Sequence, residues 1–284
     1  MRGRTPSHDR RRSGGSAPRG PQGRGTQARG EGRGAARDAG PPAGKVRLWG
    51  RHAVTAALAN PQRRPAALYA TREAFGELDA PPGVQPVLLT AGDLAAMVAP
   101  GAPHQGLVLD TSPLPDLALE DVLDTTGADD RRPIILLDQV VDPQNVGAVM
   151  RSAAAFDALA LVTQDRHSPP ESGALAKAAS GALERVPWVR VVNVARSLET
   201  LAERGYWRLG LDGDGDVTLA DALSDARPVL VMGAEGSGLR HNTAAHCDQI
   251  VRLPISGAVE SLNVSNAAAI ALYAAAQARG AQSS

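Results

Sequence analysis

The residues able to do chemistry gather in three short stretches, each placed directly after an apolar run. The first is DQVVDPQNVGAVMR, where Asp142-Pro143 turns the chain, Asn145 sits where a helix N-cap belongs and Arg151 follows about two turns later. Taken alone, it also reads as a capped helix with a surface arginine. The second, GAEGSGLR, follows PVLVM and carries Gly233, Gly236 and Gly238, which let backbone N–H groups approach a ligand closely. Glu235 inside it would repel phosphate, no Lys-Ser or Lys-Thr follows, and the glycine order is not that of a dinucleotide fingerprint, so the stretch argues against a polyphosphate ligand. A tight turn is the plain alternative. The third, LPISGAVESLNVSNAAAIALY, places Glu260, Ser261 and Asn263 ahead of a helix whose first N–H groups are free. Leu253, Ile255 and Leu262 could wall a flat apolar ring such as adenine.

These stretches need a scaffold that brings strand ends together, and the rest of the chain supplies the pattern for one. PIILLD is apolar throughout and predicts a strand buried on both faces. Helix and strand patterns then alternate through NVGAVMRSAAAF, ALALVT, GALAKAAS, WVRVV, VARSLETLAER, YWRLGLD, PVLVMG and QIVRLP to an Ala-rich helix from about Val264. The alternation predicts an open, mainly parallel α/β sheet with helices on both faces, which binds ligands beyond the carboxyl ends of its strands. Upstream, from Lys45, VRLWGRHAVTAALAN predicts a short strand and a helix ended by Asn60-Pro61. Strand-like ALYA, VQPVLL and GLVLD follow, with helices near Phe75 and from Thr90 or Asp93, giving a small α/β domain over 45–110. Residues 111–130, rich in Pro, Asp and Thr with one helical stretch around Leu119 to Leu123, are expected to link it to a second domain over 131–284.

Composition narrows the function classes further. Among 284 residues Cys247 is the one cysteine, so neither a disulfide framework nor a cysteine-bound metal is expected within one chain, and a reducing, cytoplasmic setting fits. The spacing of His241, His246 and Cys247 does not suit a metal, and no Gly-x-Ser-x-Gly elbow occurs. LDGDGD at 211–216 reads as a surface turn, since the remaining ligands of a calcium loop are missing. The net charge of zero conceals an asymmetry: residues 1–44 hold ten Arg and three acids (10 − 3 = +7), the remainder 20 Lys plus Arg and 27 acids (20 − 27 = −7). This glycine-rich basic tail is expected to be disordered, with no apolar run suited to a signal peptide or membrane helix. It suits either a loose tether for phosphate backbones or a solubilising extension.

Together, NVGAVMR, VMGAEGSGLR and LPISGAVESLNVSNAAA resemble, in order, the three motifs of the SpoU/TrmH family of RNA ribose methyltransferases, within the knotted SPOUT class. ASGALERVP at 179–187 lies where that family carries a similar stretch. GRHAV at 50–54 and PHQGLVL at 103–109 are similar to signatures of the ribosomal-protein-L30e-like RNA-binding domain found in large-subunit rRNA guanosine methyltransferases. The resemblance implies a C-terminal deep trefoil knot and a homodimer that completes the active site. It also implies S-adenosylmethionine as cofactor, held around Gly233, Leu253, Ile255 and Leu262. Asn145, Arg151, Glu235, Ser261 and Asn263 would be catalytic: Arg151 on the nucleotide, Asn145 orienting Arg151 or the ribose, Glu235 holding Arg151, Ser261 and Asn263 on nucleotide or cofactor. The implied substrate is a guanosine 2'-OH in 23S rRNA, with tRNA as the alternative and neither DNA nor membrane as partner. A non-catalytic RNA-binding assembly factor and, more remotely, a Rossmann-type dehydrogenase are the readings from other classes. Ile255, Ser256 and Asn266 depart from the family pattern.

Overall fold

The computed structural model describes residues 40–223, 227–236, 238–257 and 259–282. The expected disordered tail therefore lies, for residues 1–39, outside the described residues. In chain order the first part runs β1 (Val46–Trp49), α1 (Arg51–Ala59), β2 (Pro65–Ala70), α2 (Arg72–Gly76), β3 (Pro86–Leu88), α3 (Ala91–Ala95) and β4 (Leu107–Thr111). Its sheet has the order β1-β4-β2-β3, antiparallel except between β2 and β3. Thr90 and Asp93 form a reciprocal capping box, which fixes the start of α3 at Thr90.

The segment after β4 belongs to the core. Leu119, Val122 and Leu123 of α4 (Leu119–Asp124) are buried, and Leu117 bridges to Val189. The larger sheet follows with β5 (Ile134–Leu137), α5 (Pro143–Ala155), β6 (Ala160–Gln164), α6 (Gly173–Ala179), β7 (Trp188–Val191) and α7 (Val194–Glu203). It continues with β8 (Tyr206–Leu211), β9 (Val217–Thr218), α8 (Leu219–Ala222), β10 (Arg227–Met232), α9 (His241–Ala244), β11 (Gln249–Arg252) and α10 (Val264–Gln282). Its strand order is β7-β6-β5-β10-β8-β11-β9, and every pairing is parallel. The sequence pattern does not anticipate β9, α8 or α9, because two to four residues are too few to display a period.

Alternation along β5 explains why it is apolar throughout. Ile135 and Leu137 pack with Val149 and Met150 of α5 and Ala268 and Leu272 of α10, whereas Ile134 and Leu136 face the opposite layer with Leu123, Leu198 and Leu201. A parallel strand covered on both faces needs side chains that tolerate burial at every position.

The two sheets meet across a seam built on a buried arginine. Arg63, 4% exposed, pairs with Glu171 at 2.5 Å and Glu184 at 2.6 Å, and donates to the Ser112 carbonyl at 2.8 Å. Asn60 also donates to Glu184, at 2.6 Å. Alongside, a Cβ at Gly173 would stand 2.0 Å from the Trp49 ring, so glycine there lets α6 press against β1. Replacing Arg63 with Met strands two buried carboxylates, a loss of about 3–5 kcal/mol. Urea unfolding should show that loss for Arg63→Met, and the triple variant with Glu171→Gln and Glu184→Gln should recover most of it; an unchanged midpoint for the single variant would contradict the role of the network.

Candidate active site

Winding reverses between β5 and β10: β5 leads outward to β6 and β7 on one side, and β10 to β8, β11 and β9 on the other. Because all these strands are parallel, the loops after β5, β8, β10 and β11 emerge at one edge, where open α/β sheets bind their ligands. All three chemistry-bearing stretches come from that edge.

Asp142, not Asn145, caps α5. Its carboxylate accepts the Gln144 N–H at 3.0 Å, and Pro143 takes the first helical position. Proline has no N–H to satisfy and its fixed φ suits that place, which puts Asn145 at the third helical position, three residues past the cap. The Asn145 side chain is thereby released from capping. Its amide donates to Glu235 Oε1 at 3.2 Å and its carbonyl accepts from Asn263 Nδ2 at 3.1 Å. Asn263 Nδ2 also donates to Glu235 Oε1, which accepts as well from the neighbouring Val264 N–H at 3.2 Å. Two side chains and one backbone N–H, from the loops after β5 and β11, thus converge on one carboxylate oxygen of the loop after β10. Asn263 caps α10 with its other end, accepting from the Ser265 N–H at 2.9 Å.

Arg151 takes no part in this cluster. Six residues beyond Asn145, it lies about 120° round the helix, since 3.6 residues make a turn. It is exposed and has no hydrogen bond or ion pair among the described residues. The expected grip of Glu235 on Arg151 is therefore absent within one chain, where Glu235 Oε1 is taken by amide donors and Arg151 lies on another side of α5. The arginine that does brace this edge is Arg240, paired with buried Asp138 at 2.6 Å, and Thr243 donates to the same carboxylate at 2.6 Å. Neither Asp138 nor Arg240 stood out in the sequence, although Asp138 directly follows the apolar run of β5.

Beside the cluster is a cavity of about 500 Å³, within the range of small-molecule sites. Gly233, Leu253, Ile255, Leu262 and Ser261 all line it, together with Glu235 and Glu260. Asp212, Gly213 and Asp214 line it too. LDGDGD is the surface turn its sequence implies, with Gly213 and Asp214 exposed, and its place immediately after β8, at the same sheet edge, turns it toward the site as well. A Cβ at Gly233 would stand 2.0 Å from the Gly238 carbonyl oxygen, so this glycine is required by the folding of its own loop, which Gly238 closes by donating to the Ala234 carbonyl at 3.0 Å. Gly236 and Gly238 have φ of +81° and +62°, conformations that favour glycine. Asn266 is exposed on α10, whose packed face is Val264, Ala268, Ala271, Leu272 and Ala275, so its polarity costs nothing in the core.

His246 and Cys247 are engaged elsewhere: His246 Nδ1 meets the Asn242 carbonyl at 2.7 Å and Nε2 the Glu199 carboxylate at 3.2 Å, while the Cys247 thiol donates to the Thr243 carbonyl. Burial pushes the Cys247 thiol up to about 12.

The profile of the SpoU rRNA Methylase family matches residues 132–273, half of the chain. The chain belongs to that family. It is 40% identical over 179 residues to the 23S rRNA (guanosine-2'-O-)-methyltransferase RlmB of Salmonella typhi, covering 63% of this chain and 74% of that one. The fold is similar to that of the SpoU methyltransferase AviRb from Streptomyces viridochromogenes in complex with the cofactor AdoMet, with a TM-score of 0.71 at 23% identity over 84% of this chain and 92% of that one. A TrmH-family structure from Porphyromonas gingivalis superposes with a TM-score of 0.65 at 26% identity, over 81% and 89% of the two chains. The matched region of this SpoU family member contains every strand-end loop described above.

Gly233→Val should abolish ligand binding at the cavity and lower the melting temperature as well, because the side chain collides with loop backbone; calorimetry and thermal unfolding together check this. Cys247 should resist alkylation by iodoacetamide at pH 8 in the folded protein and react once unfolded, since its thiolate forms only near pH 12. Rapid modification of the native protein would contradict that environment.

Proposed function

We infer that this chain transfers a methyl group from S-adenosylmethionine to the ribose 2'-OH of a guanosine in 23S rRNA. The observation that carries the reading is the convergence of Asn145, Glu235 and Asn263 at the edge of the cavity lined by Gly233, Leu253, Ile255 and Leu262. The residues present fit the cofactor: apolar side chains wall a space of nucleoside size, and close-packed glycine backbone leaves N–H and C=O groups for a flat heterocycle. Relatives support the same assignment, in that the RlmB enzyme acts on 23S rRNA guanosine and the AviRb structure holds AdoMet.

When bound, the cofactor supplies a methyl group on a sulfonium centre. The chain must align the ribose oxygen with that methyl and accommodate the departing proton. Alignment alone is worth roughly 7–11 kcal/mol at the level of effective molarity. Asn145 and Asn263 fix the loop edges through Glu235, and Ser261 is placed to contact nucleotide or cofactor. Arg151 is the candidate to position the ribose and its phosphate and to stabilise developing alkoxide; a guanidinium offers donors and no acceptor, which suits it poorly to act as the free base.

A homodimer would reconcile Arg151 with the cavity, which has no arginine among its described lining residues. A second copy offers its own Arg151, and α10 presents exposed Ile270 and Tyr273, the latter edge-to-face with Phe156 at 5.7 Å, as apolar surface for the contact. We extend the reading to a trefoil knot formed by the C-terminal segment and to an L30e-like RNA-binding role for residues 45–110, joined through 111–130 to the methyltransferase domain of 131–284. The basic tail would add a sequence-tolerant hold on RNA, and the reaction would take place in the cytoplasm.

Mapping ribose methylation in 23S rRNA and tRNA from cells with and without this protein tests the substrate directly: loss of one rRNA guanosine methyl supports the reading, and loss of a tRNA methyl alone overturns the rRNA assignment. Arg151→Lys keeps the charge but loses the planar fork of donors. It should retain cofactor binding and dimerisation while slowing single-turnover methylation at least about tenfold, or roughly 1.4 kcal/mol. A wild-type rate for this variant removes Arg151 from the mechanism.

A further inference from the structure

The LDGDGD turn has no part in the mechanism above, yet it forms one wall of the cavity. It is held firmly. Asp212 N–H donates to the Val251 carbonyl at 2.9 Å, Asp214 N–H donates to Asp212 Oδ1 at 3.1 Å, and Arg252 clamps the Gly215 carbonyl at 2.5 Å from behind. A Cβ at Gly215 would come within 2.6 Å of the Val251 backbone, so the turn lies flat against the end of β11. These contacts use one carboxylate oxygen of Asp212 and leave Oδ2 without a hydrogen bond or ion pair among the described residues. That oxygen stands 3.1 Å from where a side chain at Gly238 would begin, so it is directed across to the glycine loop on the facing wall.

The charge around it is one-sided. Asp212, Asp214, Glu235 and Glu260 line the cavity, and no Lys, Arg or His does among the described residues. Two guanidinium groups on neighbouring segments are spent elsewhere, Arg240 on Asp138 at 2.6 Å and Arg252 on the Gly215 carbonyl. Glu235 is bonded only to neutral amide donors, which leave its charge uncompensated. A partly enclosed cavity with carboxylates and no cation favours a positively charged ligand over a neutral one of the same shape.

We propose that Asp212 is a specificity-determining residue of the donor cavity, one that reads the positive charge of a sulfonium nucleoside and so distinguishes the methyl donor from the thioether left after transfer. This rests on the cofactor assignment made above. In the transfer, the ribose oxygen bonds to the methyl carbon, the carbon–sulfur bond breaks with its electron pair remaining on sulfur, and the hydroxyl proton passes to water. The ligand therefore loses its sulfonium charge while Asp212 keeps its own, and the attraction that favours the incoming donor is withdrawn from the outgoing product.

The test is titration calorimetry on the full-length protein with three ligands of one shape: S-adenosylmethionine, sinefungin, which carries a protonated amine at the sulfonium position, and neutral-sulfur S-adenosylhomocysteine. Asp212→Asn retains an acceptor for the Asp214 N–H and so preserves the turn. It should weaken the two cationic ligands about five- to tenfold and leave S-adenosylhomocysteine within twofold. In the wild type, raising salt should likewise weaken the cations and leave the thioether nearly unaffected, a measurement that needs no variant. Equal losses for all three ligands, or no loss for any, overturn the charge-reading role while leaving the donor cavity in place. Binding of none of the three by the wild type overturns the cofactor assignment itself, and this proposal with it.

Discussion

One carboxylate oxygen organises the candidate site. Glu235 Oε1 accepts from the side chains of Asn145 and Asn263 and from the Val264 N–H, and these come from loops that lie 90, 118 and 28 residues apart pairwise in sequence. Charge-assisted hydrogen bonds are stronger than neutral ones, and one acceptor serving several donors ties their backbones to a single point. The parallel sheet brings the loops to the same edge but does not fix them relative to one another. That task falls to Glu235, and it explains why an acidic residue occupies a glycine-rich loop that would otherwise suit an anion.

The glycine loop shows the same economy of position. Gly233 and Gly238 touch each other's space, so the loop doubles back on itself before any ligand enters. Its shape is preorganised, and ordering it on binding costs correspondingly less. Asp138 and Arg240 brace it, the former buried at the end of β5. The cavity walls therefore consist of segments held at both ends, on β8, β10 and β11.

Much of this was legible in the sequence because it depends on local signals. The unbroken apolar run Ile134–Leu137 announced a doubly covered strand, and Asn60-Pro61 and Thr90 announced helix limits. What stayed hidden depended on competition or distance. Asp142 and Asn145 are both good caps, and only the proline between them decides the outcome. The destination of Glu235 could not be read from spacing, since a carboxylate suits amide donors and an arginine alike. LDGDGD looks like any polar turn until its strand is placed in the sheet. Arg63 likewise resembles a surface arginine in a polar turn between Gln62 and Arg64, and the partners that accompany its burial, Glu171 and Glu184, lie far along the chain.

That separation has a consequence for how the molecule is made. Glu171 lies 108 residues and Glu184 121 residues after Arg63, so the arginine leaves the ribosome well before either partner exists. At synthesis rates of about 5–20 residues per second, the interval is roughly 5–24 s. Throughout it, Arg63 is better hydrated than buried, and the face of β1 that will receive α6 has nothing to meet. Closure of the seam through this network thus has to wait until the middle of the larger sheet has been synthesised.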